Sequence, residues 1–229
     1  MGRGVGVTGW RRIALWGVAG ILLLLVLAQL ILPRIAASVV SSKVGHYGKV
    51  LSVSLSAWPA VKLLWGDVDS VKVKTGALHI ETAQAGKLLW EARSTARMEV
   101  SAQSVQVGSL RVTHAQLLKR GDALSASAQA TEADVNAALP SGFSVKLLKS
   151  EGGAVEVQAS GGLFGIGASV NAVGEASEGK LVAHPLGLLI EGFRLTLYSD
   201  PHVYVEGVGA SQLGSQPLTY GLSMRASLR

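Results

Sequence analysis

Apolar and polar positions follow three different rhythms along this chain. From Ile13 to Leu32 the sequence runs for 20 residues without a charge, holding eight Leu, three Ile and two Val, with Gln29 as its polar interruption. At about 1.5 Å rise per residue a helix of that length covers roughly 30 Å, the hydrocarbon thickness of a bilayer. Its aliphatic residues contribute on the order of −4 to −8 kcal/mol to insertion, more than one Gln opposes. Trp10 and Trp16 lie at the start of the run, and Arg3, Arg11 and Arg12 flank or precede it. The positive-inside tendency therefore predicts a cytoplasmic N-terminus, with everything after Pro33 outside. A cleaved secretory signal is the competing reading, but its apolar core spans only about 7–15 residues before a small-x-small site. Here Ile35-Ala36-Ala37 places a bulky residue at the first small position. Either reading exports the remainder.

The second rhythm is helical and brief. Ile35, Val39, Val40 and Val44 have the spacing of a helix leaving the bilayer, closed near Gly45 and Gly48. From Val50 a third rhythm, of period two, takes over. Val53 and Leu55 alternate with serines, Val71 and Val73 with lysines, and the pattern returns in Met98–Val107, Leu110–Val112, Val155–Val157 and Val203–Val205. In the second half Phe143–Leu148, Ala154–Ala159, Ile166–Val173 and Lys180–Val182 are separated by Glu151-Gly152-Gly153, Gly161-Gly162 and Glu178-Gly179, the signature of a meander of hairpins. Leu222, Met224, Ala226 and Leu228 predict one further terminal strand. A single interior stretch predicts a helix of about two turns: Thr131 as cap, Glu132 and Asp134 in the first turn, and Pro140 after Leu139 as the stop.

Charge looks informative until it is divided along the chain. The net +6 comes from 21 basic and 15 acidic residues, yet residues 1–34 hold four arginines and no acid, leaving 17 against 15 beyond them. The basic excess thus belongs to topology, and with no basic run interleaved with aromatics no nucleic-acid partner is expected. The absence of cysteine removes disulfides, thiolate metal sites, a Cys nucleophile and a lipidated Cys.

Catalytic patterns are equally sparse. Gly161–Gly167 has neither dinucleotide nor Walker spacing, and Gly207-Val208-Gly209-Ala210-Ser211 has the wrong order for a nucleophile elbow. His46, His79, His114, His184 and His202 stand singly, without partners at metal-ligand spacing. Asp67 and Asp69 share a strand face, but no second polar cluster is present to drive their pKa values apart. No enzyme activity, metal or cofactor is expected. The more distinctive group is Trp58, Leu63, Leu64 and Trp65, either core or an apolar lip where a lipid enters. On the interior helix Val135 and Leu139 stand among alanines, which leave room for an acyl chain or permit close packing. A long meander with one apolar face must be covered by a second sheet, by helices, or by a lipid held in the trough of a curved sheet.

Ala133–Leu139, Gly153-Ala154-Val155-Glu156-Val157, Leu163–Val173 and Glu178–Pro185, with Asp67–Val73 and Met98–Val107 in the first half, resemble the LmeA family of bacterial phospholipid-binding proteins, formerly a domain of unknown function. The resemblance covers roughly Pro33 to Gly209 and departs beyond it. It implies an exported envelope protein of α+β class, an elongated, curved, mainly antiparallel sheet wrapping one or two helices, with a phospholipid acyl chain in an apolar trough and a link to envelope lipoglycan synthesis. The expected organisation is a basic cytoplasmic tail (1–12), a transmembrane signal-anchor (13–32), a membrane-proximal helix or linker (33–49) and an extracytoplasmic β-rich domain (50–229). The expected partners are membrane phospholipid and the bilayer itself, with lipid contacts expected at Trp58, Leu63, Leu64, Trp65, Val135 and Leu139. A scaffold protein of the envelope that holds no ligand is the alternative.

Overall fold

The period-two segments become strands, and the strands separate into two sheets where the sequence predicts one. The computed structural model describes residues 32, 34–42, 44–45, 48–58, 65, 68–139, 141–163, 166–187 and 194–229. The apolar run 13–32 lies outside these apart from Leu32, as do the basic tail, Leu63, Leu64 and Asp67. Residues 34–42 are helical (α1), as their spacing predicts. Among the described residues no helix is long and apolar enough to cross a membrane.

In chain order the elements are β1 (Gly48–Ser56), β2 (Ser70–Ile80), α2 (Thr82–Glu91), β3 (Arg97–Val107), β4 (Leu110–Arg120), β5 (Ala123–Thr131) and α3 (Glu132–Ala137). There follow β6 (Phe143–Glu151), β7 (Ala154–Leu163), β8 (Ile166–Ser177), β9 (Lys180–Leu186), β10 (Leu195–Tyr198), β11 (Val203–Ser215) and β12 (Leu218–Leu228). One sheet has the order β1-β2-β3-β4-β5-β12-β11, and the other is the meander β10-β9-β8-β7-β6. The terminal strand is neither a free end nor an edge. β12 sits between β5 and β11, antiparallel to both.

Helix α2 was not legible in the pattern. Its segment has Gly86 at its middle, no acid in its first turn and no base in its last. It forms because β2 and β3 pair in parallel, and parallel neighbours need a crossover of about a dozen residues. A Cβ at Gly86 would fall on the Asp200 carboxylate, which would have to turn away from the His202 N–H whose hydrogen bond it accepts to make room. Helix α3 matches expectation: Thr131 has extended backbone, and its hydroxyl accepts from Asp134 N–H at 3.1 Å.

Across β2, β3 and β4 the inward-facing positions shift by one along a common line. They run Val71, Val73, Thr75 and then Leu78, Ile80 on β2, and Met98, Val100, Ala102 and then Val105, Val107 on β3. On β4 they run Leu110, Val112 and then Ala115, Leu117, Lys119. Pairing skips Gly76, Gln103 and His114, the three residues on that line, and His114 adopts φ 50°. Because neighbouring strands change phase together, apolar residues on both sides of the line stay on one face while the sheet bends, as an extra residue in a bulge bends a strand.

That face carries two cores. Leu78, Ala102, Val105, Val112 and Ala130 pack with Val135 of α3 and with Val44, while Leu124, Val203, Ala226 and Leu228 pack with Leu89 of α2 and Tyr198 of β10. Beside the second core Lys119 is 1 % exposed, and its Nζ donates to the carbonyls of Arg93 (3.0 Å) and Thr95 (2.5 Å), fastening the loop after α2. Burial lowers its pKa, opposed by the nearby Asp122 carboxylate.

In the meander the hairpin turns fall at Gly152-Gly153 and Glu178-Gly179, both residues of each turn having positive φ as a two-residue type I′ loop requires. The Gly161-Gly162 turn is corrected. Both glycines continue β7, paired with Ala168 and Gly167, and the strands run on to the Leu163–Ile166 pair. Gly161 lies opposite Phe143, whose ring occupies the space a Cβ would need.

Candidate functional site

The meander sheet is amphipathic, and its register shows how. Three cross-strand rows run over one face: Val145–Ala159–Val170, Leu147–Val157–Ala172–Pro185, and Val155–Gly174–Ala183–Leu195. The other face carries Glu156, Asn171, Glu175 and His184, where Asn171 Nδ2 donates to Glu156 Oε1 at 3.3 Å and His184 Nδ1 faces Glu175 Oε1 at 3.7 Å. A soluble sheet with such a face buries it against a second layer. Among the described residues this face is not closed over: every residue of the first two rows keeps part of its area exposed, Leu195 of the third is exposed, and within the described strands of the meander only Val182, on the other face, is fully buried.

The result is an apolar surface three to four strands wide whose valines and leucines keep part of their area in water. Fully burying a Val or Leu side chain is worth about 1.5–3 kcal/mol relative to exposure, so an apolar occupant of these rows recovers energy that the protein's own packing leaves unused. The small residues Ala159, Ala172, Gly174 and Ala183 lie along the middle strands, which keeps the surface low and able to receive a chain of methylenes.

The sheets join at β11. Val205 N–H donates to Gly179 O and Val208 N–H to Gly153 O, each at 2.9 Å, so both hairpin turns dock on the open edge of that strand. Ser150 Oγ accepts from Ala210 N–H at 2.9 Å. Where the β6–β7 turn meets the outer face of the seven-stranded sheet there is a cavity of about 450 Å³, bordered by Ser150, Glu151, Gln116, Ser127, Ser223 and Arg225.

Of the six residues expected from sequence to touch lipid, four are described, and none of these four lies on the apolar rows or borders the cavity. Trp58 and Trp65 are each 74 % exposed, and Trp58 N–H donates to Asp69 Oδ2 at 2.6 Å. Leu63 and Leu64 lie outside the described residues. Val135 is partly buried against the edge of the first core, and half-buried Leu139 ends α3 by donating its N–H to Asn136 O. The third tryptophan, Trp90, stacks on His202 at 4.3 Å between ring centroids, with the Arg93 guanidinium 4.4 Å from its ring.

The apolar rows and the cavity were not singled out from sequence. The alternation Val145, Leu147, Val155, Val157 was visible, but only the missing second layer turns a strand pattern into a binding surface. Among the described residues no group of three His, Asp or Glu side chains gathers as a metal site. Tyr198 has its pKa pushed up to about 12 by burial and then by the charge of Asp200, and it serves the second core.

No curated protein and no solved structure matches this chain. A family model does: LmeA-like phospholipid-binding, over residues 24–216.

Proposed function

The chain belongs to the LmeA-like phospholipid-binding family, and from that membership we propose that it holds a phospholipid or lipid-linked precursor with the acyl chains laid along the apolar rows of the meander sheet. The observation that carries the reading is that no residue of the three apolar rows is fully buried and Leu195 is exposed, in a sheet whose other face holds Glu156, Asn171, Glu175 and His184. Each methylene buried there contributes about 0.8 kcal/mol, so the chains supply most of the affinity. The protein acts by binding, with no covalent step.

The run Ile13–Leu32 serves in this reading as a single-pass anchor with the N-terminus inside, holding the binding sheet outside the membrane and within reach of the bilayer that supplies the lipid. Such a protein suits the envelope, where lipids or lipoglycan precursors must leave one bilayer position for another. Native mass spectrometry of the full chain released from detergent tests the binding reading: adducts of phospholipid mass are expected, whereas a uniformly lipid-free chain favours the scaffold alternative. The anchor has its own test. The chain has no cysteine, so single cysteines at Gly2 and Ser41 report topology cleanly, with Ser41→Cys labelled by an impermeant thiol reagent and Gly2→Cys protected in intact cells.

A further inference from the structure

The cavity beside the β6–β7 turn has a constructed floor. Two neighbouring cross-strand rows on the outer face of the seven-stranded sheet run Leu118–Ser125–Arg225–Gly207 and Gln116–Ser127–Ser223–Gly209. Each ends in a glycine on β11, and the missing side chains let the turn stand beside the floor as a wall, with Gly153 Cα 3.4 Å from where a Cβ on Gly207 would lie. Every other position on the two rows is polar except Leu118.

The charges are unequal. Glu151 on the wall is neutralised by Lys149, Nζ to Oε2 2.7 Å. Arg225 is exposed and, among the described residues, its side chain has no ion pair or hydrogen bond, and the side chains of Gln116, Ser125 and Ser127 have no hydrogen bond either. The site therefore offers one uncompensated guanidinium with amide and hydroxyl groups around it, a set that matches a monoanionic phosphodiester carrying hydroxyls. At about 450 Å³ it has the size of a small-molecule site. It also touches the apolar surface: Ser150 lines the cavity and pairs across the hairpin with Val155, the first residue of the third apolar row.

We propose that this cavity is the headgroup subsite, where Arg225 pairs with the phosphodiester and disfavours a second cation on the headgroup, so that anionic, hydroxyl-bearing phospholipids are held over zwitterionic ones. The inference rests on the reading that acyl chains occupy the apolar rows, and the two can fail separately.

The test uses the full chain in detergent, equilibrated with equimolar phosphatidylglycerol and phosphatidylcholine, re-isolated, and its bound lipid quantified by mass spectrometry. The wild-type chain is expected to enrich phosphatidylglycerol about tenfold, the cost of setting choline's cation against Arg225 with no hydroxyl to meet the surrounding polar groups. Arg225→Gln is expected to bring that ratio to near one with total lipid per chain unchanged, and Arg225→Lys to keep part of it. Lipid bound without preference in the wild type, or a preference that survives Arg225→Gln, overturns the subsite. No lipid on the wild-type chain overturns the apolar-row reading together with it. Titration of lipid-free protein with inorganic phosphate distinguishes the other source of the same chemistry: binding that Arg225→Gln abolishes, alongside indiscriminate lipid uptake, assigns the cavity to a soluble anion instead.

Discussion

The backbone N–H of Val208 donates to the carbonyl of Gly153 at 2.9 Å, tying the edge strand of one sheet to a hairpin turn of the other. With the matching Val205–Gly179 bond it satisfies donors on β11 that would otherwise form an open template for another chain. The tie depends on two glycines meeting: a Cβ on Gly207 would stand 3.4 Å from Gly153 Cα, and Gly153 itself has φ 88°. Gly207→Val is therefore expected to push the turn from the edge, lowering the melting temperature and adding dimers or larger species in size-exclusion chromatography. A monomer of unchanged stability would show that the turn does not protect the edge.

The apolar rows predict a separation of stability from binding. Val157→Asp introduces a charge at a partly buried position, so its stability loss is expected to be about 1–2 kcal/mol. Val105→Asp, in the core, is expected to lose several times more through an unpaired buried charge. If the rows hold acyl chains, Val157→Asp nonetheless removes most of the bound lipid measured by mass spectrometry.

Two titrating groups shape alkaline stability in opposite senses. Lys119 has a lowered folded-state pKa, so between that value and its ordinary 10.5 the unfolded chain binds more protons, and stability gained from this group rises with pH. Tyr198 is raised to about 12 from 10, so its contribution is complete below pH 10 and disappears as pH climbs to 12. Chemical denaturation across that range should show Tyr198→Phe flattening the decline above pH 10, and Lys119→Met flattening the rise below 10.5. Lys119→Met should also destabilise at neutral pH by about 1–3 kcal/mol, because the Arg93 and Thr95 carbonyls lose their donor.

His114 lies on the bend line with left-handed backbone. A β-branched residue tolerates that conformation poorly, so His114→Ile is expected to lose about 1–2 kcal/mol and His114→Gly to be neutral or stabilising, as read from urea midpoints. Equal effects from the two would show that the side chain, rather than the backbone, governs this position.

Local pattern accounted for much of the architecture and little of the site. The strands from Val50 on, the Thr131-capped helix and the meander of Phe143–Val182 were legible because alternation, caps and glycine turns act over a few residues. The α2 segment was not, since it is demanded by the parallel pairing of strands whose partners lie 27 residues apart, as with Ser70 and Arg97. Nor was the place of β12, whose alternation is the same whether it lies at an edge or at the centre.

What the sequence determined by itself was polarity: which segments are strands, which residues share a face, where the charge sits, and the family. The tertiary structure decided which apolar faces are covered. Val105 and Val157 are both valines at alternating positions of a strand, yet one is buried in the core with Leu78 and Val112 and the other is only partly covered. That difference arises from contacts between segments far apart in the chain, which no periodicity encodes. The same is true of Arg225, an ordinary polar-face residue until two glycines on β11 and the β6–β7 turn build a cavity around it.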